Sequence, residues 1–186
     1  MKFKKGALKI KIIKKNKKFT IWDVFRVEGK IYFIPLFINL IIPVAVGALV
    51  GYLNKNSFEF YKTLEKPFLS PPAIIFPIVW TILYILMGIA AYRYYMKSKI
   101  KMLNSNGYFY YIIQLICNFA WTFLFFTFRL YGLSFLWIIV ILILVLITTV
   151  KFFKLDKIAG ILMIPYIIWL SFAGLLNYFI WMLNEM

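Results

Sequence analysis

Three apolar stretches of this chain each pair a tryptophan with a phenolic or amide partner at helical spacing: Trp80 with Tyr84, Asn118 with Trp121, and Trp169 with Asn177. On a helix, residues four apart stack along one face and residues three apart adjoin, so each pair shares a face. Trp169, Ala173 and Asn177 form a stripe at i, i+4 and i+8 in which a small residue between ring and amide leaves room. Aromatic walls with a few placed hydrogen-bonding groups are the usual form of a small-molecule pocket. An amide inside a bilayer needs a partner, so Asn118 and Gln114 either join helices or hold the polar atoms of a ligand. Acid–base, metal and nucleophilic chemistry is poorly supplied. The chain has no histidine, its carboxylates (Asp23, Glu28, Glu59, Glu65, Asp156 and Glu185) fall outside the apolar stretches, and its one cysteine, Cys117, lies inside one. That composition excludes His-ligated haem, a Ser-His-Asp or Cys-His mechanism and an internal disulfide, and it offers none of the usual zinc or iron ligand sets.

The elements that carry these residues are set by hydropathy. At 64% hydrophobic residues, the chain is far more apolar than the 45–50% or so of soluble domains. Runs of about 20 apolar residues cross a hydrocarbon core about 30 Å thick as helices, and five are predicted, at about 31–53, 73–96, 108–128, 132–150 and 158–183. The fold class expected is an all-α integral membrane protein, a five-helix transmembrane bundle with an extended first loop over the cavity mouth. Residues 1–30 form a polybasic extension and 31–186 the membrane domain. The loop, about 54–72, is too apolar at Phe58, Phe60, Tyr61, Phe68 and Leu69 for a free linker. From Lys66 it leads through Pro71 and Pro72, which suit a helix start because they fix φ and lack amide donors, into the helix bearing Phe76, Trp80 and Tyr84.

Lys and Arg number 22 against six Asp and Glu, and the excess sits at span ends, where it reads as a topology signal and not as a nucleic-acid footprint. With the N-terminus inside, 18 basic residues fall inside and 4 outside, so a plasma-membrane protein with a cytoplasmic N-terminus and an external C-terminus is expected. The nine lysines of residues 2–18 are read as an anchor to anionic lipid, with a dedicated partner or RNA contact as the alternative. Residues 19–33 suit the membrane interface. Gly47 and Gly51 have the spacing that lets helix backbones approach, either within the bundle or between protomers.

Three segments together resemble the TspO/MBR family, the translocator proteins once called peripheral-type benzodiazepine receptors: Tyr61 to Gly88 with its double proline, Gln114-Leu-x-x-Asn-Phe-Ala-Trp, and Pro165-Tyr-x-x-Trp-x-x-Phe-Ala-x-x-Leu-Asn. The similarity runs over about residues 36–184. It implies a homodimer of five-helix bundles whose cavity binds protoporphyrin IX and benzodiazepine-site ligands, with no cofactor and no metal required. By position it assigns Trp80, Trp121 and Trp169 as cavity tryptophans, Asn118 as a polar group and Ala173 as the small residue beside the ligand. Tyr61, Lys66, Phe76, Tyr84 and Asn177 complete the expected binding set, Lys66 as a partner for a propionate at the mouth. The resemblance also implies, for some bacterial members, light- and oxygen-dependent porphyrin breakdown, for which Trp80 and Trp169 would be the catalytic rings. Two departures bear on function. The tryptophan usual before the double proline is Leu69, and no Lys or Arg follows Tyr178 to complete a sterol-recognition pattern. The expected function is therefore a tetrapyrrole sensor, sequestering agent or carrier, with porphyrin degradation and lipid or sterol handling as alternatives.

Overall fold

Among the described residues, five long helices follow from the apolar runs and the charges that punctuate them, and a sixth, short one lies in the first loop. The computed structural model describes residues 20–103 and 105–185, the side chains of 56–59 excepted. Helix α1 spans Phe33–Leu53, α2 Lys55–Thr63, α3 Ile75–Ile100, α4 Gly107–Thr122, α5 Tyr131–Leu155 and α6 Lys157–Asn184. All except α2 are long and apolar enough to cross a membrane, α4 together with the π turn Phe123–Thr127 that continues it. Helices α3 and α5 run several residues beyond their expected ends because Lys97, Lys99 and Lys154 occupy their last turns. Lysine is a good helix former there, and its charge favours the helix C-terminus. The first loop is not wholly extended: α2 occupies its first half, a nine-residue helix too short and too polar to show in hydropathy.

Helix α3 packs on α1 and α6, and α5 packs on α4 and α6. The shared core centres on Met87, Ala90, Ala91, Ile141, Val145, Met163, Tyr166 and Leu170. Helices α1 and α3 approach closely at Gly88, where a β-carbon would lie 2.6 Å from the Asn39 carbonyl oxygen and 3.0 Å from the Leu40 Cα. No larger residue fits that crossing without separating the helices.

At the lysine-rich end one ion pair organises the chain. Asp156 is the single residue between α5 and α6, and its carboxylate accepts from the Ala159 amide at 2.9 Å, capping α6. Arg93 donates to it twice, Nε to Oδ1 at 3.1 Å and Nη2 to Oδ2 at 2.9 Å, and Lys97 lies 3.3 Å from Oδ2. The remaining Arg93 nitrogen, Nη1, reaches the carbonyls of Asp23, Val24 and Arg26 at 2.8–2.9 Å. Tyr92 adds two more bonds, its hydroxyl accepting from the Tyr32 amide and donating to the Phe25 carbonyl. Residues 20–32, which composition assigns largely to the basic extension, are thereby seated on the bundle. They enter through a short 3-10 turn, Ile21–Val24, and a reverse turn in which Glu28 (φ 48°) and Gly29 (φ 82°) occupy the left-handed region. That turn closes Val27 onto Lys30 and buries Val27 beside Tyr92 and Met96. The basic run 2–18 lies outside the described residues.

Burial alone would raise the Asp156 carboxyl pKa, but hydrogen bonds from Arg93 and Ala159 and the charges of Arg93 and Lys97 hold it below its ordinary 3.8. The sign of the linkage follows. A depressed carboxyl stabilises the fold fully above its ordinary value and stops doing so as pH falls through the lower folded one. Unfolding in detergent should show this term flat above about pH 5 and declining progressively as pH falls below about 4. Asp156→Ala strands the Arg93 guanidinium, so it should cost about 3–5 kcal/mol and abolish that acid dependence. Chemical denaturation of both proteins across pH checks both outcomes.

Candidate functional site

Trp80, Tyr84 and Phe76 lie on one face of α3, and that face forms the wall of a cavity of about 580 Å³. Trp80 stacks on Tyr84 with centroids 5.5 Å apart and planes 28° apart, the arrangement implied by their i, i+4 spacing. Opposite stands α1, through Val44, Gly47, Ala48 and Gly51; α4 and its π turn close the space with Trp121, Thr122 and Phe126, and Ala73 and Ile74 supply the edge next to the prolines. The lining is almost wholly apolar. The hydroxyl of Thr81, one of its few polar groups, is bonded to the Pro77 carbonyl.

The two glycines of α1 do different things. At Gly47 the space of a β-carbon is taken by the Tyr84 ring, whereas at Gly51 nothing lies within 4 Å. Gly47 therefore packs within the bundle, and Gly51 leaves the cavity open. The spacing was visible in the sequence, but the third wall it builds was expected from α6.

Of the expected binding residues, Phe76, Trp80, Tyr84 and Trp121 line the cavity. The others do not line it. Asn118 is buried between two phenols, accepting from Tyr84 at 3.1 Å and donating to Tyr166 at 3.1 Å, so it joins α3, α4 and α6. Asn177 accepts from the Trp121 indole N–H at 3.2 Å and donates to the Tyr131 carbonyl at 2.9 Å, fixing the angle of that ring. Trp169 meets Phe76 edge-on at 5.9 Å without lining the cavity itself, and Ala173 is buried. Tyr61 packs against Phe76, Phe125 and Phe126 at the loop end. Its buried hydroxyl and that of Ser70 lack hydrogen-bond geometry, and burial pushes the phenol pKa up. Lys66 donates to the Tyr61 and Lys62 carbonyls at 2.9 and 3.1 Å, closing the C-terminal end of α2, and does not line the cavity. Gln114, fully buried, finds no hydrogen-bond partner among the described residues.

The loop that shields this end is tied down at several points. The Thr127 hydroxyl donates to Asn54 at 2.7 Å, the Arg129 guanidinium lies 3.6 Å above the Phe60 ring, and Asn184 exchanges hydrogen bonds with the Glu65 backbone. The tip residues Phe68 and Leu69 stay exposed. The Trp121 ring is held where α4 loosens into its π turn, stacked on Phe125 at 5.2 Å. Such turns re-aim side chains and recur at functional sites.

The TspO/MBR family model matches residues 39–182. Three similar proteins are the tryptophan-rich sensory protein of Cereibacter sphaeroides, the tryptophan-rich protein TspO of Chlorobaculum tepidum and the human translocator protein. The first is 35% identical over 77% of this chain and 87% of its own length. The second is 36% identical over 72% and 84%, and the third 32% identical over 76% and 85%.

The contrast between the two glycines is testable without any ligand. Gly47→Val should lower the unfolding midpoint, because the added methyls displace Tyr84 and overpacking costs about 1–3 kcal/mol. Gly51→Val should leave the midpoint within the error of the wild type. Thermal unfolding of both variants in the same detergent separates them; equal losses would remove the cavity from this face of α1.

Proposed function

Because this chain belongs to the TspO/MBR family, we propose that it binds a tetrapyrrole such as protoporphyrin IX in the cavity between α1, α3 and α4, as a membrane sensor, sequestering protein or carrier. The observation that carries this reading is the wall itself: Trp80 stacked on Tyr84, facing the open side of α1 across about 580 Å³ of apolar space. That volume falls within the roughly 300–1,000 Å³ of small-molecule pockets, and a flat conjugated ring gains from offset or edge contacts with aromatic faces. The name of the Cereibacter relative, a sensory protein, supports the sensor role. The chain is an integral membrane protein. The distribution of Lys and Arg supports a cytoplasmic N-terminus and an external C-terminus in a plasma membrane, and the family resemblance supports a homodimer.

Charge contributes little to this reading. Lys66 would have to release two backbone carbonyls to meet a propionate, so affinity comes from the rings. A second reading, photo-oxidative porphyrin degradation, is favoured by one feature: Trp80, an oxidisable ring, lies in the cavity wall against two phenols, Tyr84 and Tyr166. In that reaction Trp80 would touch the substrate and Trp169 would act through Phe76.

The test is titration of purified protein with protoporphyrin IX, first in the dark and then under light with oxygen. Tryptophan quenching that saturates while the Soret band persists in light supports binding without turnover. Light-dependent loss of that band with a new product supports the degrading enzyme. Neither, together with sterol binding, overturns both. Trp80→Phe should weaken binding a few-fold to about tenfold, in line with ~0.5–1.5 kcal/mol for an aromatic pair. The dimethyl ester of protoporphyrin should bind within about twofold of the free acid, as should the free acid to Lys66→Gln.

A further inference from the structure

At the lysine-rich end, away from the aromatic cavity, a second and more open cavity of about 530 Å³ lies between the last turns of α3 and the first turn of α4. Its wall is built from Tyr95 and Tyr108, whose ring centroids are 5.7 Å apart, and its rim from Met102 and Leu103. Met102 is 93% exposed and holds a left-handed backbone (φ 51°), uncommon for a residue with a side chain. The loop is pinned in that shape: Ser98 Oγ donates to the Leu103 carbonyl and the Leu103 amide to the Ser98 carbonyl.

Several polar groups of this groove are already matched. Tyr94 bonds Ser105 and accepts from the Gly107 amide, and Tyr108 donates to Asn39 at 2.9 Å. The Lys99 ammonium lies 6.0 Å from the Tyr95 ring centre and makes no ion pair among the described residues. The sequence contains no carboxylate between Glu65 and Asp156, and Asp156 is held by Arg93 and Lys97. With Lys99 and Lys101 at the end of α3 and no carboxylate near them in the sequence, the groove carries a positive field beside an apolar wall.

We propose that this groove binds an anionic phospholipid, its phosphate on Lys99 and the start of an acyl chain against Tyr95, Tyr108, Met102 and Leu103. Basic pockets between helix ends suit such headgroups, and exposed apolar residues at the level where α3 ends suit the acyl boundary. A soluble phosphate would leave the apolar wall unused, and a zwitterionic lipid brings its own cation into the basic field.

The experiment uses the full chain, delipidated in detergent, and native mass spectrometry of lipid retained during titration with phosphatidylglycerol or phosphatidylcholine. Residues 2–18 also attract anionic lipid, so the readout is the difference between variants of the same full chain. Lys99→Gln, an exposed substitution, should weaken phosphatidylglycerol binding about fivefold. Lys154→Gln, on the same end but outside the groove, should not. A diazirine-bearing phosphatidylglycerol should label Met102, Leu103 or Tyr108. Equal affinity of wild type and Lys99→Gln, labelling confined to other helices, or displacement by glycerol phosphate as effective as by lipid would overturn the proposal.

Discussion

The amide of Asn118 is the joint on which the cavity depends. Within hydrocarbon an unpaired amide is costly and water does not satisfy it, so Asn118 holds the hydroxyls of Tyr84 and Tyr166 together. Tyr84 in turn fills the gap left by Gly47 and supports Trp80. One polar residue on α4 thus fixes an aromatic wall on α3, its seat on α1 and its backing on α6. The same rule shapes both ends of the bundle. Asp156 and Arg93 spend their charges on each other, an amide and three carbonyls. At the opposite end Glu185 accepts from the amides of Tyr131 and Gly132, where α5 begins and a carboxylate meets the positive end of the helix dipole.

With Asn118, Asn177 and Lys66 committed to architecture, and no charged side chain in the lining, little is left for charged recognition in the cavity. Asn177 orients Trp121, Lys66 closes α2, and the lining retains small side chains, threonines and rings. Such a surface discriminates by shape and flatness more than by charge. Its width is set by what is missing on α1, since Gly51 has open space where another residue would project. The loop above is held by Arg129, Thr127 and Asn184, so any passage into the cavity from that side must loosen bonds that also tie α2 to the spans.

The legible part of this molecule was whatever lies within one helix. Five spans follow from apolar length, and the Trp80–Tyr84 stack follows from helical periodicity. The need of Asn118 for a partner follows from the bilayer, though which hydroxyls answer it does not. What escaped the sequence lay between elements. Gly47 and Gly51 carry the same spacing signal, yet their roles diverge because a side chain from α3 fills one gap and leaves the other. Trp169 shares the tryptophan pattern but packs edge-on against Phe76 and does not line the cavity, a fact of helix rotation. Arg93 and Lys66 act on backbone carbonyls, which every residue carries, so no residue type announces the partner. Hence the seating of residues 20–32 and the capping of α2 by Lys66 were invisible, and α2 itself was too short to stand out.

What remains to be distinguished is whether a flat ring enters between α3 and α1 or lies against α6. The most direct measurement is an experimental structure of the protein with protoporphyrin bound in the dark, at a resolution that places the macrocycle. The expected result is the ring against Trp80 with its edge toward Gly51, Trp121 beside it, and Phe76 between it and Trp169. A macrocycle seated against Trp169 and Ala173 on α6, with the space beside Gly51 empty, would contradict it.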